Sequence, residues 1–404
     1  MKFIVIGITD NPKPWFSPEV IAMIRGGRVF SGGRRHHEIV APLLPEGAEW
    51  IDITVPLDAV FDRYQTVCRQ AAEGDAILVF ASGDPLFFGF ANTIRRRMAE
   101  AEVTVYPAFN ALQMLAHRLT MPYHDMRIVS LTGRPWQELD RALIEQAGKI
   151  GVLTDREHTP QAIARRMVDY GYTYYNIAVG EHLGNPALER VTEMKIEDAV
   201  GREFSSPNCL ILTGEGSGRC FGIPDTAFAL LDGREKMITK MPIRLLTLQA
   251  FGLSRRRVFW DIGFCTGSVS IEARLQFPHL RVEAFEVRQA CEAIMHENCR
   301  RFGVPGIGVH IGDFLSADCD NIPAPDAVFI GGHGGKLKAI MAKALGYLGD
   351  DGCIVMNSVS SPKVPVDSRR LWNEACQALG LVQEPPLRIQ LNDYNPIEIL
   401  KCRR

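Results

Sequence analysis

The 404-residue sequence has no CxxC pair, no excess of basic charge and no long apolar run. Its ten cysteines (positions 68, 209, 220, 265, 291, 299, 319, 353, 376 and 402) are scattered, so the spacing of a structural zinc site is missing and no metal is expected. Scattered thiols of this kind predict reduced cysteines in a cytoplasmic protein. The 45 Lys and Arg residues against 47 Asp and Glu leave a formal charge of −2, which excludes a global basic field for nucleic acid or an anionic membrane. No stretch approaches the roughly 18 apolar residues that span a bilayer. The opening "MKFIVIGITD" lacks the longer apolar region and small-residue cleavage site of a signal peptide. The expectation is a cytoplasmic protein with neither nucleic acid nor membrane as a partner.

What is present is the composition of a globular α/β protein, 46% hydrophobic and 23% charged, in a chain too long for one core. The first 213 residues alternate β-rich runs with helical patterns. "KFIVIGI" (2–8), "DAILVFASGDPLFFG" (75–89), "RIVSLTG" (127–133), "KIGVLTD" (149–155), "YNIAVGEHLG" (175–184) and "NCLILTG" (208–214) carry the strands. Helical patterns fall at 18–27, 110–119 and 159–171. This alternation predicts a mostly parallel sheet covered by helices. The glycine-rich "GEGSGRCFGIPD" (214–225) reads as a linker, and a second α/β series follows. Its strands are expected at 257–263, 281–287, 308–313, 326–332 and 353–359, with helices at 242–253, 288–302, 335–347 and 366–379. "PLRIQLN" and "PIEILKC", joined by "DYNP", predict an antiparallel hairpin on the sheet edge. The expected domains are 1–213 and 237–404, with a linker at 214–236.

The second series carries the more legible site. "WDIGFCTGSVSIEAR" (260–274) is a strand, a glycine turn and a helix start, the place where open parallel sheets bind ligands. Gly263 and Gly267 let the backbone bend and bring a helix N-terminus near a ligand. Glu286, at the next strand end, suits ribose hydroxyls, and Asp313, at the end of the third strand, suits an adenine amino group. The nicotinamide fingerprint G-x-G-x-x-G fails at its second glycine, which disfavours an NAD(P)-binding oxidoreductase. A purely structural βα turn stays open. The loop resembles the D-x-G-x-G-x-G loop of class I S-adenosylmethionine methyltransferases, matching at Asp261, Gly263 and Gly267. Cys265 stands in place of the middle glycine and reads as a packed thiol, since no His lies beside it in sequence.

In the first series "SGDPLFFG" (82–89) again follows an apolar strand. Alone, it could be a type I turn. It resembles the S-G-D-P-x-x-x-G motif of the tetrapyrrole methylases, and "FNALQMLAHRL", "VSLTGR", "VLTD", "VGEHLG" and "PNCLIL" continue that pattern in order. Together the halves resemble the bifunctional, decarboxylating precorrin C5,15-methyltransferases, or their cobalt-precorrin counterparts. That resemblance implies a tetrapyrrole methylase-like α/β domain followed by a Rossmann-like class I domain. It further implies one S-adenosylmethionine per domain, C5 methylation by the first, and C15 methylation with decarboxylation of the ring C acetate by the second. Cofactor contacts carried over are Gly7, Ser82, Gly83, Asp84, Pro85, Phe109 and Asn110 in the first domain. In the second they are Asp261, Gly263, Gly267, Glu286 and Asp313. The sequence departs from the pattern in "GITDNPKPWF" (7–16), which has less glycine, and at Thr132, where His is common.

Methyl transfer to carbon chiefly needs carbon and methyl held roughly 3–3.5 Å apart, so strong acid–base residues are not required. His333, in "GGHGGK", is a candidate proton donor, with a surface loop histidine as the alternative. A tetrapyrrole substrate carries many carboxylates, and Arg34, Arg35, His36 and His37 form the best patch to meet them, with solvated charge as the alternative. A homo-oligomer is the expected assembly. Other readings are a two-domain methyltransferase with another substrate and, if either departure has emptied the first site, a non-catalytic binding module.

Overall fold

Strand β1 (Lys2–Ile8) is buried at every position after Lys2, as suits a strand of a parallel sheet covered on both faces. The structure, a computed structural model, describes residues 2–70, 75–219, 221–234, 237–359, 368–392 and 395–404. β1 lies in a five-stranded sheet with β2 (Val29–Gly32), β3 (Glu49–Asp52), β4 (Ala76–Ser82) and β5 (Glu102–Tyr106). The order is β3-β2-β4-β1-β5 and every pairing is parallel. The register sets Gly7 opposite Ala81 and Ile8 opposite Ser82. The loops after β1 and β4 therefore leave the same end of the sheet side by side.

A second five-stranded sheet holds β6 (Arg127–Ser130), β7 (Lys149–Leu153), β8 (Asn176–Glu181), β9 (Arg190–Lys195) and β10 (Asn208–Thr213), in the order β6-β7-β10-β8-β9. Only β6 and β7 pair in parallel; β10 runs antiparallel to both β7 and β8, and β9 antiparallel to β8. The expectation of a mostly parallel sheet thus holds for the first sheet and fails for the second. The connection from β8 to β9 is too short for the crossover that parallel neighbours need. Helix Ala111–Arg118 covers this sheet through Leu112, Leu115 and Ala116, packed with Leu183, Cys209 and Ile211.

The third sheet contains β11 (Val258–Ile262), β12 (Arg281–Glu286), β13 (Ile307–Ile311), β14 (Ala327–Ile330), β15 (Cys353–Val359), β16 (Val382–Gln383), β17 (Leu387–Ile389) and β18 (Ile397–Arg403). Its order is β13-β12-β11-β14-β15-β18-β16, with β17 also on β18. The first five strands are parallel, and the strand order reverses between β11 and β14. β18 is antiparallel to both β15 and β17, so the expected edge hairpin is present; Asp393 and Tyr394 of its turn lie outside the described residues. Trp260, Phe285, Phe314 and Trp372 build one apolar layer, and Phe251, Phe259 and Phe329 another.

The chain divides into two compact units, Met1–Pro135 with Gly148–Arg166 and Thr173–Glu215, and Trp136–Ala147 with Met167–Tyr172 and Gly216–Arg404. The stretch expected as a linker (214–236) is packed from Ile223 onward, where Ile223, Phe228 and Leu231 share a buried cluster with Phe264 and Ile271. Cys220, Glu235 and Lys236 of that stretch lie outside the described residues. Its anchor is Arg244, which is fully buried. Arg244 pairs with Glu272 and with Asp225, each at 3.3 Å, and donates to the carbonyls of Ile223 and Thr239. Its guanidinium also lies 5.0 Å from the Phe228 ring centre. Among the described residues no helix is long and apolar enough to cross a membrane.

Glu272 is as buried as its partner, so removing the cation strands a charge. Arg244→Met is expected to lower stability by about 3–5 kcal/mol. Urea unfolding of the full chain measures this, and adding Glu272→Leu should restore much of the loss.

Candidate functional site

In the N-terminal unit three backbone segments meet beyond β1 and β4. A Cβ on Gly7 would sit 2.0 Å from the Gly83 carbonyl oxygen and 2.5 Å from the Ala108 nitrogen. Gly83 itself has φ +61, donates to Ile8 and accepts from Ala108. Pro85 is buried, and its carbonyl accepts from Ala91. Asp84 accepts from the Leu86 N–H at 2.8 Å, so its carboxylate shapes the turn. Asn110 caps helix Ala111–Arg118 in a reciprocal box with Gln113, and Phe109 is exposed beside His117. Thr132 donates to the Thr154 carbonyl at 3.1 Å.

The basic patch splits. Arg34 faces solvent and, among the described residues, pairs with Glu38 alone, while His37 stacks on Trp50 at 4.1 Å. Arg35 and His36 instead reach Ser82, whose hydroxyl lies 3.0 Å from Arg35 Nη2 and 2.9 Å from His36 Nε2. Burial, helped by Arg35, pushes His36 down to about 4. A ring shifted this far is neutral at neutral pH. Its Nδ1 accepts from Gly33, which leaves Nε2 to donate to Ser82. Arg35 also pairs with Asp10 at 3.1 Å, and Asp10 holds His182 Nδ1 at 3.0 Å. The motifs "SGDP", "GGRRHHE" and "VGEHLG", far apart in sequence, are thus adjacent.

The site of the other unit lies beside the reversal of strand order. Gly263 (φ +83) would place a Cβ 2.9 Å from the Gly332 nitrogen, so the loop holding His333 touches the glycine turn. Gly267 (φ +76) precedes helix Ser268–Gln276. Cys265 adopts φ +51, a left-handed conformation rare for a residue with a Cβ. The backbone there keeps the shape a glycine would take, and the thiol is buried beside Phe264, Cys291 and Met295.

Asp261 is 1% exposed. Its Oδ2 accepts from Ser270 Oγ at 2.5 Å, and its Oδ1 has no partner among the described residues. Burial, reinforced by the charge of Glu286, pushes its carboxyl up to about 7. Glu286 is also buried, but Arg288 and the N–H groups of Arg288 and Cys265 hold it below the usual carboxylate range. The Arg288 fork reaches both its oxygens, at 2.9 and 2.8 Å. Asp313 is half exposed and pairs with Lys336 of the His333 loop at 3.1 Å. His333 accepts from the Gly335 N–H through Nδ1, and burial lowers its proton affinity.

Comparison with known proteins decides the family. Residues 2–200 match the family described as tetrapyrrole (corrin/porphyrin) methylases, and residues 231–380 match the precorrin methyltransferase domain. A precorrin-6Y C(5,15)-methyltransferase [decarboxylating] from Sinorhizobium sp is 32% identical over 88% of this chain and 84% of its own. A cobalt-precorrin-6B C(15)-methyltransferase (decarboxylating) from Salmonella typhimurium is 40% identical over 43% of this chain and 93% of its own. A cobalt-precorrin-7 C(5)-methyltransferase from the same organism is 25% identical over 44% and 84%. The chain belongs to the precorrin-6Y C(5,15)-methyltransferase family.

A methyltransferase of this family uses S-adenosylmethionine, which supplies the methyl group when bound. The residues present fit it. The unpartnered buried oxygen of Asp261 and the Glu286 carboxylate flank one glycine turn, and the close approach of Gly7 to Gly83 shapes the other. The sequence reading missed Asp10, His182 and Arg288. "VGEHLG" drew attention to the right loop, but nothing local in it shows that His182 meets a residue 172 positions earlier.

The raised Asp261 carboxyl carries a stability consequence. A buried acid protonated in the folded state supports folding fully below the unfolded value, roughly 4, and that support is lost as pH rises through about 7. Asp261→Asn is expected to flatten the decline in thermal midpoint between pH 4 and 7. Differential scanning fluorimetry across that range measures it.

Proposed function

We propose that this methyltransferase acts on a precorrin in corrin-ring biosynthesis, with one S-adenosylmethionine site in each unit. The N-terminal unit methylates C5, and the C-terminal unit methylates C15 and decarboxylates the ring C acetate, whose carboxylate leaves as carbon dioxide while its methylene carbon stays on the ring. The names of the relatives support the positions and the decarboxylation, and the two family matches support the division. The single observation that carries the reading is the pair of tight glycine turns at the carboxyl ends of two separate parallel strand sets. A charge near balance supports a small-molecule substrate over nucleic acid. The residues suited to the cofactor are Gly7, Gly83 and Asp84 in one unit, and Asp261, Gly263 and Glu286 in the other. Arg35 and Ser82 support substrate contact beside the first turn, and His333 supports proton delivery beside the second.

Isothermal titration tests the count. Two equivalents of S-adenosylhomocysteine per chain are expected, and one equivalent contradicts the reading. Glu286→Ala should weaken one of the two sites by about 10–100-fold, as loss of charged hydrogen bonds does. The same change should impair C15 methylation, whereas Asp84→Ala should impair C5 methylation. Product mass spectrometry separates the two outcomes.

A further inference from the structure

We propose that His182, oriented by Asp10, is the base that takes the proton from the carbon methylated in the N-terminal unit. The proposal rests on the assignment of C5 methylation to that unit. Replacing C–H by C–CH3 releases one proton for every methyl group transferred. The carbon's electron pair forms the new bond, and the pair of the broken sulfonium bond stays on sulfur. The hydrogen then leaves as a proton, and its bonding pair returns to the conjugated ring. Positioning alone does not dispose of that proton, so a nearby acceptor has a defined task.

The structure offers one connected through Asp10 and Arg35 to the "SGDP" turn. Carboxylate Oδ2 of Asp10 lies 3.0 Å from His182 Nδ1. An ionised carboxylate only accepts, so Nδ1 carries the hydrogen and the lone pair of the neutral ring is on Nε2. Nε2 has no partner among the described residues, and the side chain is 19% exposed, enclosed but reachable. The carboxylate that sets this tautomer also stabilises the imidazolium formed when Nε2 takes a proton.

Its surroundings agree. His182 follows β8, with φ +47, a strained conformation for a residue with a Cβ. Its own N–H donates to the Pro207 carbonyl, which holds that geometry. Two residues on, a Cβ at Gly184 would lie 3.1 Å from Thr9 Oγ1, so the loops after β8 and β1 are in contact. Arg35 bridges Asp10 to Ser82 of the "SGDP" turn. The charged groups on the adjoining elements are Asp10 with its partner Arg35, Glu181 and Arg190 on the strand pair that His182 follows, and the Glu189–Arg118 pair, whose carboxylate accepts from the Gly184 N–H.

The neighbouring candidates are committed elsewhere. His36 uses both ring nitrogens, accepting from Gly33 and donating to Ser82. Asp84 accepts from its own turn. The departure of the first loop from the glycine-rich family pattern also gains a purpose, because that loop places Asp10.

The test uses the full chain. His182→Gly accommodates the left-handed backbone and leaves room for free imidazole. It is expected to slow single-turnover C5 methylation by about 100-fold or more, while S-adenosylhomocysteine affinity stays within about threefold. Added imidazole should recover at least about tenfold of that rate, a response a purely structural residue would not give. Asp10→Asn, a positioning change, should also slow C5 methylation without loss of S-adenosylhomocysteine affinity. A C5 rate in His182→Gly within about threefold of the parent overturns the proposal, as does a loss that follows cofactor affinity and ignores imidazole. The unit assignment fails separately, if Asp84→Ala spares C5 methylation.

Discussion

Both sites depend on backbone meeting backbone at the ends of parallel strands. A side chain at Gly7 would occupy the Gly83 carbonyl, and one at Gly263 would press on the Gly332 nitrogen. Parallel register makes this contact possible, because Ile8 and Ser82 leave their sheet together, as do Ile262 and Ile330 in the other unit. The turns that follow are held by main-chain hydrogen bonds, Gly83 to Ile8 and Gly331 to Ile262. At Cys265 the same backbone shape is imposed on a residue with a Cβ, and burial of the thiol beside Cys291 and Met295 offsets the strain.

The acids of the two sites are balanced in different ways. Donors from Arg288 and Cys265 hold Glu286 below the usual carboxylate range in a buried place. Asp261, a few ångströms of chain away from the same turn, has Ser270 alone and is driven toward its neutral form. Asp10 divides its carboxylate, one oxygen to Arg35 and the other to His182. Arg35 supplies the positive charge, and His182 is left to exchange a proton. Charged pairs inside a protein cost desolvation, which direct pairing and hydrogen bonding offset here.

Much of this was legible in the residues. Apolar runs ending in "SGD" and "DIG" marked both turns, and Glu286 ends its strand as expected, while Asp313 lies two residues past the end of β13. The second sheet was not legible, because antiparallel and parallel strands have similar apolar runs and only the short connection after β8 distinguishes them. β2 and β3 are four residues each, too short for a periodic signal. Arg244 reads as an ordinary charge on a helix, and only folding shows it buried between Asp225 and Glu272. His182 and Asp10 fall in the same class. Their pairing is a product of topology, which brings the loop after β8 against the loop after β1.

One chain is proposed to hold two separate methyl-transfer sites. A crystal structure of the full chain grown with S-adenosylhomocysteine tests it most directly. The account predicts two bound molecules, one against the Gly7–Gly83 crossing and one with its ribose on Glu286. A single molecule at saturating ligand, or an adenosine placed away from both turns, would contradict it.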